Sequence, residues 1–205
     1  MAAPASKTIG DINGKWVMNK TLSDSPEPAL ALQGVGWLIR KAIGAATVTL
    51  HVKQYTDDAS VPHIDVDQIA SGGIKGTSEN RTLDFQAREH SDWLFGRVTG
   101  QSKFVTAEEL QALVAPDGEP RTQGWIDDDF VAQDWIEADG EKTGPAGETH
   151  VYNLVKSVDK GWTVVQVWGF QMIGGERRYT RNIVCAKGDK FEKFKLIFDW
   201  VSAEW

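Results

Sequence analysis

The sequence predicts a mainly β domain, an antiparallel up-and-down β-barrel carrying a helix-turn-helix lid and one additional short helix. Three observations predict it. Segments rich in β-branched and aromatic residues recur along the chain with two-residue alternation. Short joints of turn-forming residues separate them, the pattern of successive hairpins. Nine tryptophans, eight phenylalanines and three tyrosines supply rings that gain most by leaving water. A meander of hairpins has two unpaired edges, and closure into a barrel hides them.

Taken in order, residues 47–55, 63–70, 80–90, 93–105, 150–158, 162–173, 177–187 and 191–201 read as eight strands, with 15–21 as a ninth. The joints between them include Thr56-Asp57-Asp58, His90-Ser91-Asp92, Asp159-Lys160-Gly161 and Gly174-Gly175-Glu176. Residues 24–44 break the meander as two helical pieces, with Ser23 or Ser25 as cap, Pro26 at an early position and Gly34-Val35-Gly36 as the joint. A second break spans 106–149. It opens with a short helix, where Thr106 and Glu109 have capping-box spacing. An acidic insertion follows, with ten acids against two bases between Asp117 and Glu148. Its rings, Trp125, Phe130 and Trp135, predict an arm pinned to the barrel, because a free acidic tail rarely carries large aromatics.

The totals bound the function. At 205 residues the chain suits one domain, 1–205. The net charge of −7 disfavours nucleic acid and anionic lipid surfaces, which need a basic face. No apolar run approaches the roughly 20 residues that cross a bilayer. The opening Met1–Lys7 lacks the apolar middle of a secretory signal, and the single Cys185 forms no internal disulfide, so a cytoplasmic location is expected. The sequence holds no His/Cys cluster, no glycine-rich phosphate loop ahead of a helix and no serine nucleophile elbow. No metal and no cofactor is therefore expected, and Cys185 reads as a small buried hydrophobe.

A resemblance rests on Gly14-Lys15-Trp16, Ser23-Asp24-Ser25, Ala29-Leu30 and the run Gln33-Gly-Val-Gly-Trp-Leu-Ile-Arg-Lys41. Over residues 14–44 the chain resembles the intracellular fatty-acid-binding proteins of the calycin superfamily, in which a Gly-any-Trp strand leads into a two-helix lid. It is also similar to fungal calycin-like proteins that serve natural-product pathways. The resemblance implies Trp16 near the closed end of the barrel and the helices over the open end. Family members holding a fatty acid carry an Arg-any-Tyr pair in the last strand. Here that strand offers Phe194, Leu196, Phe198 and Trp200 on one face and no such pair, and the acidic insertion has no counterpart.

Polar anchors are therefore sought elsewhere. One strand earlier, Tyr179 and Arg181 alternate with Ile183 and Cys185 onto one face. Inward, they anchor an oxygen-bearing ligand; outward, they belong to a charged surface beside Arg177 and Arg178. Trp37, Arg40, Phe85, Trp168 and Phe198 complete the expected ligand-binding set, while Arg40 and Lys41 equally fit a solvated helix end. For chemistry, Asp84, Arg88 and His90 share a face of the strand 80–90, and His63, Asp65 and Asp67 share a face of theirs. Inside a barrel such groups move protons; outside it they form a solvated wall. Two functions remain open: a carrier of one small apolar lipid, polyketide or terpenoid, which resemblance favours, or a cofactor-independent cyclase, isomerase or pericyclase of secondary metabolism using the same cavity. The oligomeric state is not readable.

Overall fold

A computed structural model describes residues 1–72, 74, 76–115 and 128–204, and of 128 and 129 the backbone. Ten antiparallel strands form one sheet: β1 (Gly14–Met18), β2 (Val48–Thr56), β3 (Pro62–Ala70), β4 (Thr77–Thr82), β5 (Arg88–Asp92), β6 (Gly96–Val105), β7 (His150–Ser157), β8 (Thr163–Ile173), β9 (Glu176–Lys187) and β10 (Lys190–Ser202). Each pairs with its neighbours in sequence, and β1 pairs with β10, so the sheet wraps into a barrel whose ladder is missing only between β4 and β5.

That gap corrects the reading of 80–90 as a continuous strand. Thr82 ends β4, and Leu83 turns into the core. Asp84 Oδ1 then accepts the Gln86 amide at 3.0 Å, and Phe85 takes the left-handed φ of 58°. The loop crosses straight to β6, where Phe85 N–H donates to the Ser102 carbonyl at 2.9 Å and Gln101 Nε2 donates to the Phe85 carbonyl at 2.9 Å. Below this seam the wall is shut, and above it β4 and β5 stand apart. The expected joint at His90-Ser91-Asp92 is part of β5; the turn follows it, where Asp92 Oδ1 accepts the amides of Leu94 and Phe95 at 2.7 Å.

The lid is α1 (Glu27–Leu32) and α2 (Trp37–Ala45). Gly34, at φ 80°, makes the joint that a side chain would strain. Ser25 Oγ accepts the Glu27 amide at 3.3 Å, whereas Ser23 Oγ and Asp24 Oδ2 take the amides of Ile197 and Lys195 at 2.8 and 2.9 Å and moor the lid to β10. The capping box opens α3 (Ala107–Val114), with both reciprocal bonds formed at 2.9 and 3.2 Å.

Leu110 and Val114 of α3, with Val131 of a short helical turn (Asp128–Val131), cover Tyr152, Leu154, Val165, Val167 and Val184 on the outer face of β7–β9. These strands are thus buried on both sides, and their burial does not alternate: Ile183-Val184-Cys185-Ala186 of β9 is a continuous buried apolar run. Phe130 and Trp135 join this cluster, and the Ile136 amide donates to the Phe170 carbonyl at 3.0 Å. A bidentate pair of Arg177 with Glu141, both contacts at 2.6 Å, fixes the end of the arm. Trp125 and the charges at Asp117, Glu119, Arg121 and Asp127 lie outside the described residues.

A two-chamber lumen as candidate active site

Strand parity decides what faces inward. β2 sends in Val48, Leu50 and Val52, and β3 sends in Ile64 and Val66. At the end away from the lid the interior is solid: Trp16 is fully buried, donates its indole N–H to the Ile12 carbonyl at 2.9 Å and packs on Tyr179 with centroids 5.2 Å apart. Toward the lid the interior is hollow. One chamber of about 310 Å³ opens sideways between β4 and β5, and a second of about 180 Å³ lies beneath the lid against Leu30, Ile183 and Phe198. Gln33, Thr77, Glu79, Phe95, Val164 and Gln166 line both, so the two are compartments of one lumen.

A charged cluster stands where they meet. Glu79 and Arg81 point inward from β4, and Arg81 donates to Glu79 Oε2 at 2.6 and 3.0 Å. Gln68 Nε2 donates to Glu79 Oε1 at 2.5 Å. Arg181 enters from β9, only 3% exposed, with its guanidinium carbon 3.8 Å from the centre of the Trp168 ring and its Nε donating to the Tyr179 hydroxyl at 3.1 Å. Arg81 stands 5.1 Å from the same ring. Burial alone drives the Glu79 carboxyl up, but Arg81, Arg181 and the two side-chain hydrogen bonds outweigh it and hold the group below the ordinary glutamate range. Two guanidiniums against one carboxylate leave an excess positive charge in this cluster. Arg181 Nη2 is buried with no hydrogen-bond partner among the described residues, a costly state that a ligand oxygen relieves.

Neutral polar groups extend the cluster in one short relay and one separate pair. Arg81 Nη1 donates to Ser102 Oγ at 3.3 Å, Ser102 donates to Asn153 Oδ1 at 2.8 Å, and Trp168 Nε1 donates to Gln166 Oε1 at 3.0 Å.

Of the residues expected to bind ligand, Arg181 and Phe198 line the second chamber. Trp168 and Tyr179 lie directly below, fully buried, and support Arg181. The other three lie elsewhere. Trp37 is 62% exposed, because α2 buries no residue. Arg40 ties the lid together, donating to Glu27 Oε1 at 3.1 Å and to the Val35 carbonyl at 2.7 Å. Phe85 packs outside the wall against Tyr152, since its left-handed backbone breaks the parity that would aim it inward.

The candidate catalytic trio is brought together only in part: Asp84 pairs with Arg88. Arg88 and His90 flank the lateral mouth, but Asp84 sits in the crossing loop and holds Arg88 in a bidentate pair at 2.6 Å. That bond holds the Asp84 carboxyl down at about 2, which makes it a poor base. His63, Asp65 and Asp67 face away from Ile64 and Val66, on the outer surface of β3. Burial pushes the Cys185 thiol up to about 12. Among the described residues no three His, Cys, Asp or Glu side chains are grouped to hold a metal ion, and no helix is long and apolar enough to cross a membrane.

Sequence reasoning missed Glu79, Gln68 and Gln166. The segment Thr77–Thr82 contains no apolar residue, so nothing in it marks the lumen face; its only signal is the alternation of Glu79 with Arg81.

This architecture is that of a fatty-acid-binding-protein-like barrel of the calycin type. Solved structures with the same fold include a Schistosoma mansoni fatty acid binding protein in complex with arachidonic acid (TM-score 0.52, 13% identity, covering 93% of this chain and 96% of that one) and human cRBP IV (TM-score 0.51, 10% identity, covering 93% and 98%). No family model matches the sequence. Full-length relatives are more specific: the chain is 30% identical over 204 residues to a probable pericyclase, scpY, of Mollisia scopiformis, covering 99% of this chain and 96% of the relative. It is 27% identical over 202 residues to the pericyclase pydY of an Acremonium species, covering 98% and 97%. The chain belongs to the family of these fungal proteins.

Proposed function

We propose that the chain is a pericyclase: it folds a linear, unsaturated natural-product intermediate inside the lumen and accelerates a concerted ring-forming rearrangement of it. The observation that carries this reading is the joined pair of chambers. A flexible molecule that fills both bends where Gln33, Glu79 and Gln166 line the two, which brings distant parts of one chain together. Concerted reorganisation of π bonds needs no nucleophile and no proton transfer. What a protein supplies is conformation, by prior loss of the entropy of folding the substrate, and fixed dipoles aimed where charge shifts. The apolar wall beneath the lid and the charged cluster where the chambers meet fit that task, and full-length likeness to two pericyclases supports it.

The test uses a synthetic trienone in which a diene and an electron-poor alkene are joined by a short saturated tether. Incubation with the protein is expected to give one predominant enantiomer faster than buffer does. Racemic product at the buffer rate, with the trienone bound stoichiometrically, would instead make the barrel a carrier.

A further inference from the structure

A hydrogen bond from the Trp168 indole sets which way the Gln166 amide faces. An indole N–H only donates, so the Gln166 atom 3.0 Å from Trp168 Nε1 is the amide oxygen. Its Nε2 is left to project from a side chain that lines both chambers. On the neighbouring strand Ile183 is the register partner of Gln166, and Arg181 that of Trp168. Gln166 and Arg181 are therefore diagonal neighbours on the same inward face, close enough to share one small group. Arg181 brings a buried Nη2 without a partner among the described residues. Both side chains line the second chamber, and Trp168 holds both: its N–H fixes the amide, and its ring face lies under the guanidinium at 3.8 Å.

We propose that Gln166 Nε2 and Arg181 Nη2 together hold one carbonyl oxygen of the substrate, so that the lumen selects molecules whose reacting alkene is conjugated to a ketone, amide or acid carbonyl. The inference rests on the lumen being the reaction site. Two donors on that oxygen, one of them cationic, draw electron density from the conjugated alkene and lower the barrier to its union with an electron-rich diene. No bond to the protein forms and no proton moves. Gln166 and Arg181 touch the substrate in this scheme, and Trp168 is a positioning residue.

The probe is pseudoionone, a conjugated ketone that does not cyclise under these conditions, labelled with ¹³C at the carbonyl and observed by infrared difference spectroscopy. On binding to the wild-type protein its carbonyl band is expected well below the position it has in hexane. Gln166→Leu and Arg181→Leu should each move the band part of the way back. Affinity should fall about fivefold for the neutral donor and more than tenfold for the charged one. Trp168→Phe keeps a ring beneath Arg181 but frees the amide, so the band should broaden and shift back with little loss of affinity. A merely structural tryptophan would leave it unmoved, and this variant serves if Gln166→Leu does not fold. Pseudoionone bound with its carbonyl band at the hexane position would overturn the donor pair while leaving the lumen reading intact. Absence of a stoichiometric site would overturn both.

Discussion

Strands β3 and β4 lie side by side and both alternate, yet they turn opposite chemistry toward the lumen. β3 buries Ile64 and Val66 and shows Asp65 and Asp67 to water; β4 shows Ser78 and Asn80 to water and turns Glu79 and Arg81 inward. Alternation specifies which residues share a face, not which face is wet. The charge on β3 costs nothing to hydrate. The charge on β4 persists because Glu79 is matched by Arg81 on its own strand, by Gln68 on β3 and by Arg181 from β9, and that matching makes the interior a site rather than a core.

The contrast breaks most sharply at Glu79. Glu79→Gln leaves Arg81 and Arg181 without a counter-charge, and loss of one partner from a buried pair costs about 3–5 kcal/mol. Urea denaturation should show that loss, and thermal melting a fall of roughly 10 °C. The pH dependence follows with a definite sign. The folded-state affinity of Glu79 for a proton is lowered, so its contribution is present above the ordinary glutamate range and lost as pH falls through the folded value. Glu79→Gln should therefore flatten part of the acid limb of the stability curve, whereas an unchanged limb would contradict the pairing.

Arg181→Leu acts on binding instead of folding. It removes the excess positive charge while Glu79 keeps Arg81, so stability should hold or rise, and affinity for a carbonyl-bearing ligand should fall by roughly 2–4 kcal/mol. Calorimetry on the same preparation reads both quantities.

His90→Gln sharpens the comparison from the other side. His90 is half exposed at the lateral mouth, and a concerted rearrangement asks no proton of it, so turnover should stay close to wild type. A loss of about 10²-fold would mark a general base and a different class of enzyme.

The smallest effects belong to outward charges. Asp84→Asn should cost no more than about 1 kcal/mol, as for exposed ion pairs, and Asp65→Asn no more than about 0.5 kcal/mol. Chemical denaturation midpoints check both.

Much of the fold was legible because its signals are local. The lid follows from Pro26, Gly34 and Gly36, α3 from Thr106 and Glu109, and most strands from alternation bounded by turn residues. The site was legible only in part. Arg181 shared a face with Ile183 and Cys185, which marked it as a candidate, but its neighbours Arg177 and Arg178 left inward and outward equally open until the structure placed that face inside the barrel. Glu79 stood among polar residues and looked like solvent surface. Phe85 misled for a different reason: one left-handed residue between β4 and β5 reverses parity, and no side-chain pattern in 80–90 marks it. Trp37 misled because an aromatic residue in a lid invites an inward reading, whereas α2 turns Ile43 toward the chamber, beside Ala29 and Leu30 of α1, and leaves Trp37 on its exposed side.

The most direct measurement is a map of nuclear Overhauser contacts between pseudoionone and ¹³C-methyl-labelled protein. Strands β8 and β9 carry the control within themselves, since Val164 and Ile183 face the second chamber while Val165, Val167 and Val184 pack outward beneath α3. Contacts to the methyls of Val164, Ile183 and Leu196, with none to the outer three, is the predicted result. Contacts confined to the outer three, or to Leu38 and Ile69 on the exposed surface, would contradict a ligand held inside the barrel.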